Sequence, residues 1–178
     1  MDIQCLACGA KNIEGEDRCR QCLHSLMQVD LPRPKKSDPI QQIMMSTPVS
    51  ELLTGEDLLV ASPEDSIAKV VEIFQKEKKH CILVYEKKRL AGILSKRDLV
   101  FKVAGKPKDL SKFKVRDIMT PKAEFVKADA PLAFVVNKMA LGGFRHVPVL
   151  AEDGKPLSII HIQDVLDYLL RREKNPKK

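Results

Sequence analysis

From residue 58 onward the chain is written twice, and this duplication limits its possible folds more than any other feature. Ile67, Val70, Val71 and Phe74 form an i, i+3, i+4, i+7 stripe, and Leu132, Val135, Val136 and Met139 repeat it 65 residues later. Asp98 recurs 66 residues on as Asp164, each at the start of a helix expected after a short apolar strand. Two copies of about 60 residues are two supersecondary units, each too small to cover its own sheet. They are expected to bury faces against each other and leave a cleft suited to a small ligand.

The totals agree with one compact domain of ordinary size and a small appendage. Of 178 residues, 44% are hydrophobic, enough for a core, but aromatics are 4% and Trp is absent, so aliphatic side chains must do the packing. There is no apolar run near the ~20 residues of a membrane span and no secretory h-region. A cytoplasmic protein without membrane association is expected. Residues 1–30 carry a balance of −2, which leaves +9 for the rest of a chain whose net charge is +7. Excess positive charge on the duplicated region suits a phosphate-bearing ligand or an acidic partner. The basic tail, 173–178, reads as a solvated end.

Four of the five cysteines, Cys5, Cys8, Cys19 and Cys22, form a C-x2-C-x10-C-x2-C pattern. Thiolates two residues apart can both face one tetrahedral ion, and Zn²⁺ accepts four of them at about 2.3 Å. So short a segment cannot fold on apolar burial alone, so the metal would supply most of its stability. Two disulfides are the other pairing of four cysteines, but nothing suggests export. Residues 3–27 resemble the short zinc ribbons of many prokaryotic proteins, although Leu23 stands where the second knuckle usually has Gly. A rubredoxin-like iron site is the rival, and no aromatic residue in 1–27 would shield it. Four sulfurs close the coordination sphere, so a structural Zn²⁺ or an interaction surface is expected in a ribbon spanning 1–27. Pro32, Pro34 and Pro39 alternate with charged residues over 28–39, which reads as a stiff linker and predicts a ribbon tethered rather than packed into the main core.

Each copy reads β-α-β-β-α after a short leading helix, at 49–54 in one and 115–120 in the other. First strands are expected at 58–61 and 124–127. Ser62-Pro63-Glu64-Asp65 reads as the capping box that opens the first long helix, and Gly142-Gly143 as the left-handed stop of its counterpart. Strand pairs follow at 81–85 with 90–94, and at 146–150 with 156–160, before a closing helix. The expected class is α/β (α+β), with repeat 1 at 40–110 and repeat 2 at 111–172.

Three phrases make a family resemblance specific. Gly92-Ile93-Leu94-Ser95-Lys96-Arg97-Asp98 is a Gly-h-h-Ser/Thr-x-x-Asp pattern, Val115-Arg116-Asp117-Ile118-Met119-Thr120-Pro121 leads the second copy, and His146-Val147-Pro148-Val149 forms one of its strands. Together they resemble a tandem cystathionine-β-synthase (CBS) domain pair, or Bateman module, over about residues 40–171. The resemblance implies a sensor of adenine nucleotides or S-adenosylmethionine-like ligands bound between the repeats, and a homodimer. It also implies an adenine slot edged by Ala61 and Ile82 in one copy and by Val126 and Val147 in the other.

The chemistry of the turn can be argued separately. Gly92 lets a ligand approach the backbone, Ser95 opens a helix whose first amides point outward, and Asp98 offers acceptors to ribose hydroxyls. Lys96 and Arg97 would offset phosphate charge. Ser-x-x-Asp is also a plain capping box that satisfies its own donors. In the second copy Ser158 replaces the Gly and His161 the hydroxyl residue, while Asp164 is kept, so one competent and one altered or empty site is expected. His161 reads either as an imidazolium facing a phosphate or as a solvated helix-start residue. Cys81 reads as a buried, inert thiol.

There is no Gly-x4-Gly-Lys-Ser/Thr loop and no catalytic grouping of His24, His80, His146 and His161. A non-catalytic regulator acting on an unidentified protein partner is expected. The alternatives are a nucleic-acid-binding regulator using the ribbon and the basic repeat surface, and a small iron redox carrier.

Overall fold

A computed structural model describes residues 2–5, 7–13, 16–26, 39–55, 58–87, 89–103 and 109–174. Of the expected linker over 28–39 only Pro39 is described, and it opens a helix; 28–38 and the end of the basic tail, 175–178, lie outside the described residues. A hairpin of β1 (Asp2–Gln4) and β2 (Lys11–Ile13) comes first, then helix α1 (Pro39–Ser46) and a 3-10 turn at Val49–Leu52. The first copy supplies β3 (Val60–Ala61), α2 (Ile67–Lys76), β4 (Cys81–Glu86), β5 (Arg89–Ser95) and α3 (Lys96–Val103). Next come α4 (Val115–Ile118) and a short strand, β6 (Thr120–Pro121). The second copy supplies β7 (Val126–Lys127), α5 (Leu132–Gly142), β8 (His146–Leu150), β9 (Pro156–His161) and α6 (Ile162–Lys174). The class is mixed α/β, and the duplicated β-α-β-β-α order holds.

The chain packs as two compact units, 57–123 and 1–56 with 124–178, so the packing units are one helix out of phase with the written repeats. Backbone bonding explains the offset. The Val49 amide donates to the Ala130 carbonyl at 2.9 Å and the Ser50 amide to Ala128 at 2.7 Å, which fixes the 3-10 turn beside β7. Val49 and Leu52 then join the core formed by Val126, Val135, Val147 and Ile160. In the other unit the Val115 amide donates to Asp65 at 2.9 Å and the Ile67 amide to Phe113 at 2.8 Å. Val115 and Ile118 of α4 thereby complete the core of Ile67, Val70, Phe74 and Ile82. Each apolar leading segment is used by the sheet that follows or precedes it at a distance along the chain, not by its own copy.

The two sheets differ by one strand. In 57–123 the order is β3-β4-β5-β6, with β3 parallel to β4 and the rest antiparallel; in the other unit it is β7-β8-β9. The first strands are shorter than expected, two residues each at 60–61 and 126–127 instead of four.

Helix α2 also starts later than the Ser62 box implies. Ser66 is its cap, its hydroxyl accepting from the Lys69 amide at 3.3 Å, while Ser62 and Asp65 close the preceding turn through the Ser62 amide and Asp65 Oδ2 at 2.8 Å. A hydroxyl residue immediately before the apolar stripe outcompetes one four positions earlier. The stop of α5 is as expected, with Gly143 at φ 65°.

The ribbon is not a tethered appendage. Residues of the hairpin segment belong to the same compact unit as repeat 2. The Lys127 amide donates to the Ala7 carbonyl at 3.4 Å, His24 meets the Phe134 ring edge-on at 4.8 Å, and Lys138 Nζ donates to the Cys22 carbonyl at 3.1 Å. The Pro-rich composition of 28–39 bears on the connection and says nothing about where the ribbon lands. No helix among the described residues is long and apolar enough to cross a membrane.

Candidate functional site

The strand-to-helix turn of the first copy is a closed hydrogen-bonded device. Asp98 Oδ2 accepts from the Ser95 amide at 2.9 Å and from the Ser95 hydroxyl at 2.6 Å. The Ser95 oxygen in turn accepts from the Asp98 amide at 3.3 Å, which completes the capping box. Asp98 Oδ1 takes Lys102 Nζ at 3.2 Å and the Thr120 hydroxyl at 3.4 Å. All four acceptor positions of the carboxylate are thus engaged. Burial works to raise the Asp98 carboxyl, but the bonds from Ser95 and the Lys102 ammonium outweigh it and hold the group below its ordinary value. The side chain keeps 19% of its surface accessible, so it is not sealed in the interior.

Lys102 carries no motif, and Thr120, although it lies in the Val115–Pro121 phrase, was given no site role by sequence reasoning. Lys102 Nζ also donates to the Ile118 carbonyl at 2.7 Å, tying α3 to the end of α4. The i, i+4 spacing from Asp98 was the available signal for Lys102. Thr120 arrives through β6, which no local pattern announces.

Gly92 has a structural reason that the sequence reading did not give it. A Cβ there would press against the Thr120 carbonyl oxygen, inside 3.0 Å, and lie 3.1 Å from Met119 Sδ and 3.2 Å from Pro121 Cα. The bare backbone admits β6, which pairs Gly92 with Pro121 and Ile93 with Thr120. At the matching position Ser158 is buried in β9, which among the described residues pairs only with β8. Among the described residues, the copy with Gly has a four-stranded sheet and the copy with Ser a three-stranded one.

Lys96 and Arg97 lie over rings, Lys96 Nζ 5.9 Å from the Phe74 centroid and Arg97 Cζ 5.4 Å from that of Phe101. Ala61 and Ile82 are packed in the core of 57–123, and Val126 and Val147 in that of the other unit. Ile82, Val126 and Val147 have no accessible surface, so a direct adenine contact would require these cores to open. Cys81 is buried, and burial together with the nearby Asp98 charge pushes its thiol upward, as suits an inert core group.

The second copy keeps the same turn with a different cap. The His161 amide donates to Asp164 Oδ2 at 2.7 Å, and His161 Nδ1 accepts from the Gln163 amide at 3.2 Å. The ring nitrogen takes the amide two residues on, where the Ser95 hydroxyl takes the one three residues on. Its ring lies 4.6 Å from that of His146, the residue paired with it across β8 and β9. The backbone closes both turns alike: the Lys96 amide donates to His80 and the Ile162 amide to Arg145, each at 3.0 Å.

The four cysteines converge. Their sulfurs all lie within 4.8 Å of one another, with Cys5–Cys22 and Cys8–Cys19 at 3.6 Å, and all four are buried. Bonds of about 2.3 Å to one tetrahedral ion place sulfurs about 3.8 Å apart, whereas a disulfide needs about 2.05 Å. The donor set therefore fits Zn²⁺. The knuckles are matched: the Gly9 amide donates to the Cys5 carbonyl at 2.8 Å and the Leu23 amide to Cys19 at 2.9 Å. Both turns need a left-handed residue, Gly9 at φ 71° and Leu23 at φ 59°. Hydrogen bonds to Cys5 and Cys8, then burial, push the Cys22 thiol upward, with the Lys138 charge pulling against them.

Comparison with known proteins gives the duplicated region a family. The model of the CBS domain matches residues 40–105 and 115–171. A protein of Methanopyrus kandleri is 32% identical over 127 residues, 69% of this chain, and the chain spans under two thirds (63%) of that relative's length. Among solved structures, the CBS-domain containing protein of Agrobacterium tumefaciens superposes with a TM-score of 0.62 at 31% identity, over 69% of this chain and 93% of that one. The CBS domain pair of protein MJ0100, in complex with 5′-methylthioadenosine and S-adenosyl-L-methionine, gives a TM-score of 0.62 over 71% and 98%, and at 21% identity shows the fold alone.

Proposed function

The chain belongs to the CBS-domain family, and on that premise we propose that it is a non-catalytic regulator that binds an adenine nucleotide or an S-adenosylmethionine-like ligand at the β5–α3 turn. The observation that carries this reading is Asp98: a half-buried carboxylate at a helix start, whose Oδ1 partners are a partly exposed lysine ammonium at 3.2 Å and a hydroxyl at 3.4 Å. A ribose diol replaces those two donors with two of its own, while Ser95 keeps Oδ2 and the cap. A related CBS pair was solved with two adenosine-containing ligands, which supports the ligand class.

Lys102 supplies the transmission. Released from Asp98, its ammonium remains on the Ile118 and Met119 carbonyls, so occupancy shifts the α3–α4 junction and the surface it presents to a protein partner. Calorimetric titration with AMP, ADP, ATP and S-adenosylmethionine tests this. One site per chain is expected, lost in Asp98→Ala and kept in Asp164→Ala. Absence of binding by all four, or two equal sites, refutes it.

The four sulfurs are assigned a structural Zn²⁺, supported by their tetrahedral spacing; elemental analysis distinguishes zinc from iron. The protein is further assigned to the cytoplasm as a homodimer. Support for self-association comes from large apolar side chains exposed on matching helices, Val100 and Phe101 (63% and 73%) on α3 and Leu166 and Leu170 (47% and 54%) on α6. Sedimentation of a monomer at micromolar concentration refutes the dimer.

A further inference from the structure

Helices α2 and α5 occupy the same place in the two copies, yet their outer faces differ. At 69 the first copy has an exposed lysine paired with Asp65 at 2.8 Å; the matching residue, Phe134, is buried against His24. At 73 it has a half-buried isoleucine, and the matching residue is Lys138, one of the largest fully buried side chains of the described residues. A buried ammonium is tolerated only where acceptors surround it. For Lys138 these are the Cys22 carbonyl at 3.1 Å and Glu124 Oε2 at 2.9 Å. Glu124 in turn pairs with Arg18 of the ribbon at 3.4 Å.

The backbone of a cysteine in the sulfur cluster thus solvates a charge at the centre of α5. The attraction also runs the other way, since four thiolates around a divalent ion carry a net negative charge beside which the ammonium is favourable. A cavity of about 230 Å³ remains along this seam, with Arg18, His24 and Ser25 on one side and Glu124 and Lys138 on the other. The seam is therefore held by a few directed contacts, and these exist only while the ribbon keeps its shape. A ribbon this small keeps its shape through the ion.

Resting on the zinc reading of the four cysteines, we propose that Lys138 is the positioning residue that locks the metal ribbon onto α5, so that metal loading and the ordering of the second repeat are one linked event. The first repeat, whose α2 carries Lys69 and Ile73 at these positions, is outside the linkage. Zinc is then a determinant of one half of the regulator, not a passive staple of its N-terminus.

The full chain tests this with and without its metal. Hydrogen exchange is followed over 132–142 and, as internal control, 67–76, before and after zinc is removed with chelator under reducing conditions. Exchange in 132–142 is expected to rise at least about ten-fold while 67–76 is unchanged. Lys138→Met is expected to release zinc to a chromogenic chelator about ten-fold faster or more, with Lys138→Arg restoring much of the retention. The Co²⁺-substituted Lys138→Met protein should keep its four-thiolate charge-transfer bands, because no ligand has been removed. Phe134→Lys, which installs the residue found at 69, should also speed release.

If the wild-type chain carries zinc but exchange in 132–142 is indifferent to its removal, the linkage falls and the metal reading stands. If the chain takes up neither zinc nor Co²⁺ at the sulfurs, both fall. Unchanged zinc release in Lys138→Met and Phe134→Lys removes Lys138 from the role. The wild-type exchange comparison decides the matter even where a variant fails to fold.

Discussion

Gly92→Ala separates two reasons for the same glycine. If the bare backbone serves the close approach of a ligand, the added methyl harms binding and leaves the ligand-free protein intact. If it serves β6, as the structure indicates, the methyl destabilises the protein with nothing bound. The Cβ would enter the space of the Thr120 carbonyl and crowd Met119 Sδ at 3.1 Å, both on the chain segment that forms β6. Forcing a methyl into such a contact costs about 1–3 kcal/mol.

The alternative is for β6 to move away. That forfeits the pairs Gly92 with Pro121 and Ile93 with Thr120 and the bond from the Lys122 amide to Ala91 at 3.1 Å, at about 0.5–1.5 kcal/mol for each net hydrogen bond. Both routes converge on about 2 kcal/mol, or a lowering of Tm by roughly 4–8 °C. The assay is thermal unfolding of the ligand-free protein, with hydrogen exchange over 115–122 to locate the damage. Ser158→Ala, at the matching position of β9, which among the described residues pairs only with β8, is the control and should shift Tm much less. A Gly92→Ala protein that melts with the wild type, and is impaired only in nucleotide binding, refutes the reasoning.

Other outcomes follow from the same contacts. Asp98→Ala should cost about 1–2 kcal/mol through loss of the cap. Because the folded carboxyl is held below its ordinary value, that stabilisation is complete above about pH 4 and fades as the pH falls through the folded value. Chemical unfolding of wild type and variant across pH 2–7 should therefore converge in acid. Leu23→Gly should stabilise the ribbon by about 1 kcal/mol, since a branched side chain at φ 59° is strained, and slower zinc release reports it. Zinc should be lost on acidification, since protons compete with the ion for the four thiolates; metal release followed against pH gives the sign. Tyr168→Phe removes the 2.6 Å bond to Glu51 that ties α6 to the 3-10 turn, and should cost about 1 kcal/mol or less because the pair is exposed.

Local chemistry made much of this protein legible. Apolar stripes of 3.6-residue period placed α2 and α5, a Gly-Gly pair placed the stop of the second, and the cysteine spacing placed all four sulfurs in one cluster. The Ser95–Asp98 box was readable because a cap is an interaction among neighbours in sequence. Less legible was whatever depends on residues far apart in sequence. Gly92 was assigned to a ligand because the strand that needs it, β6, is two residues long and comes 28 positions later. The domain limits 40–110 and 111–172 follow the writing of the repeats, whereas the packing units follow the backbone bonds of Val49 to Ala130 and Val115 to Asp65.

The sequence by itself determined that there are two β-α-β-β-α copies, a four-sulfur cluster and a capped helix start bearing a carboxylate, since each is set by spacing within a few turns of chain. Only the tertiary structure decided which sheet each leading helix completes, why residue 92 has no side chain, and that the ribbon rests on α5. Those outcomes turn on which buried groups find partners, such as acceptors for the Lys138 ammonium and space for the Thr120 carbonyl. Partners of that kind are chosen by proximity in space, which no spacing along the chain records.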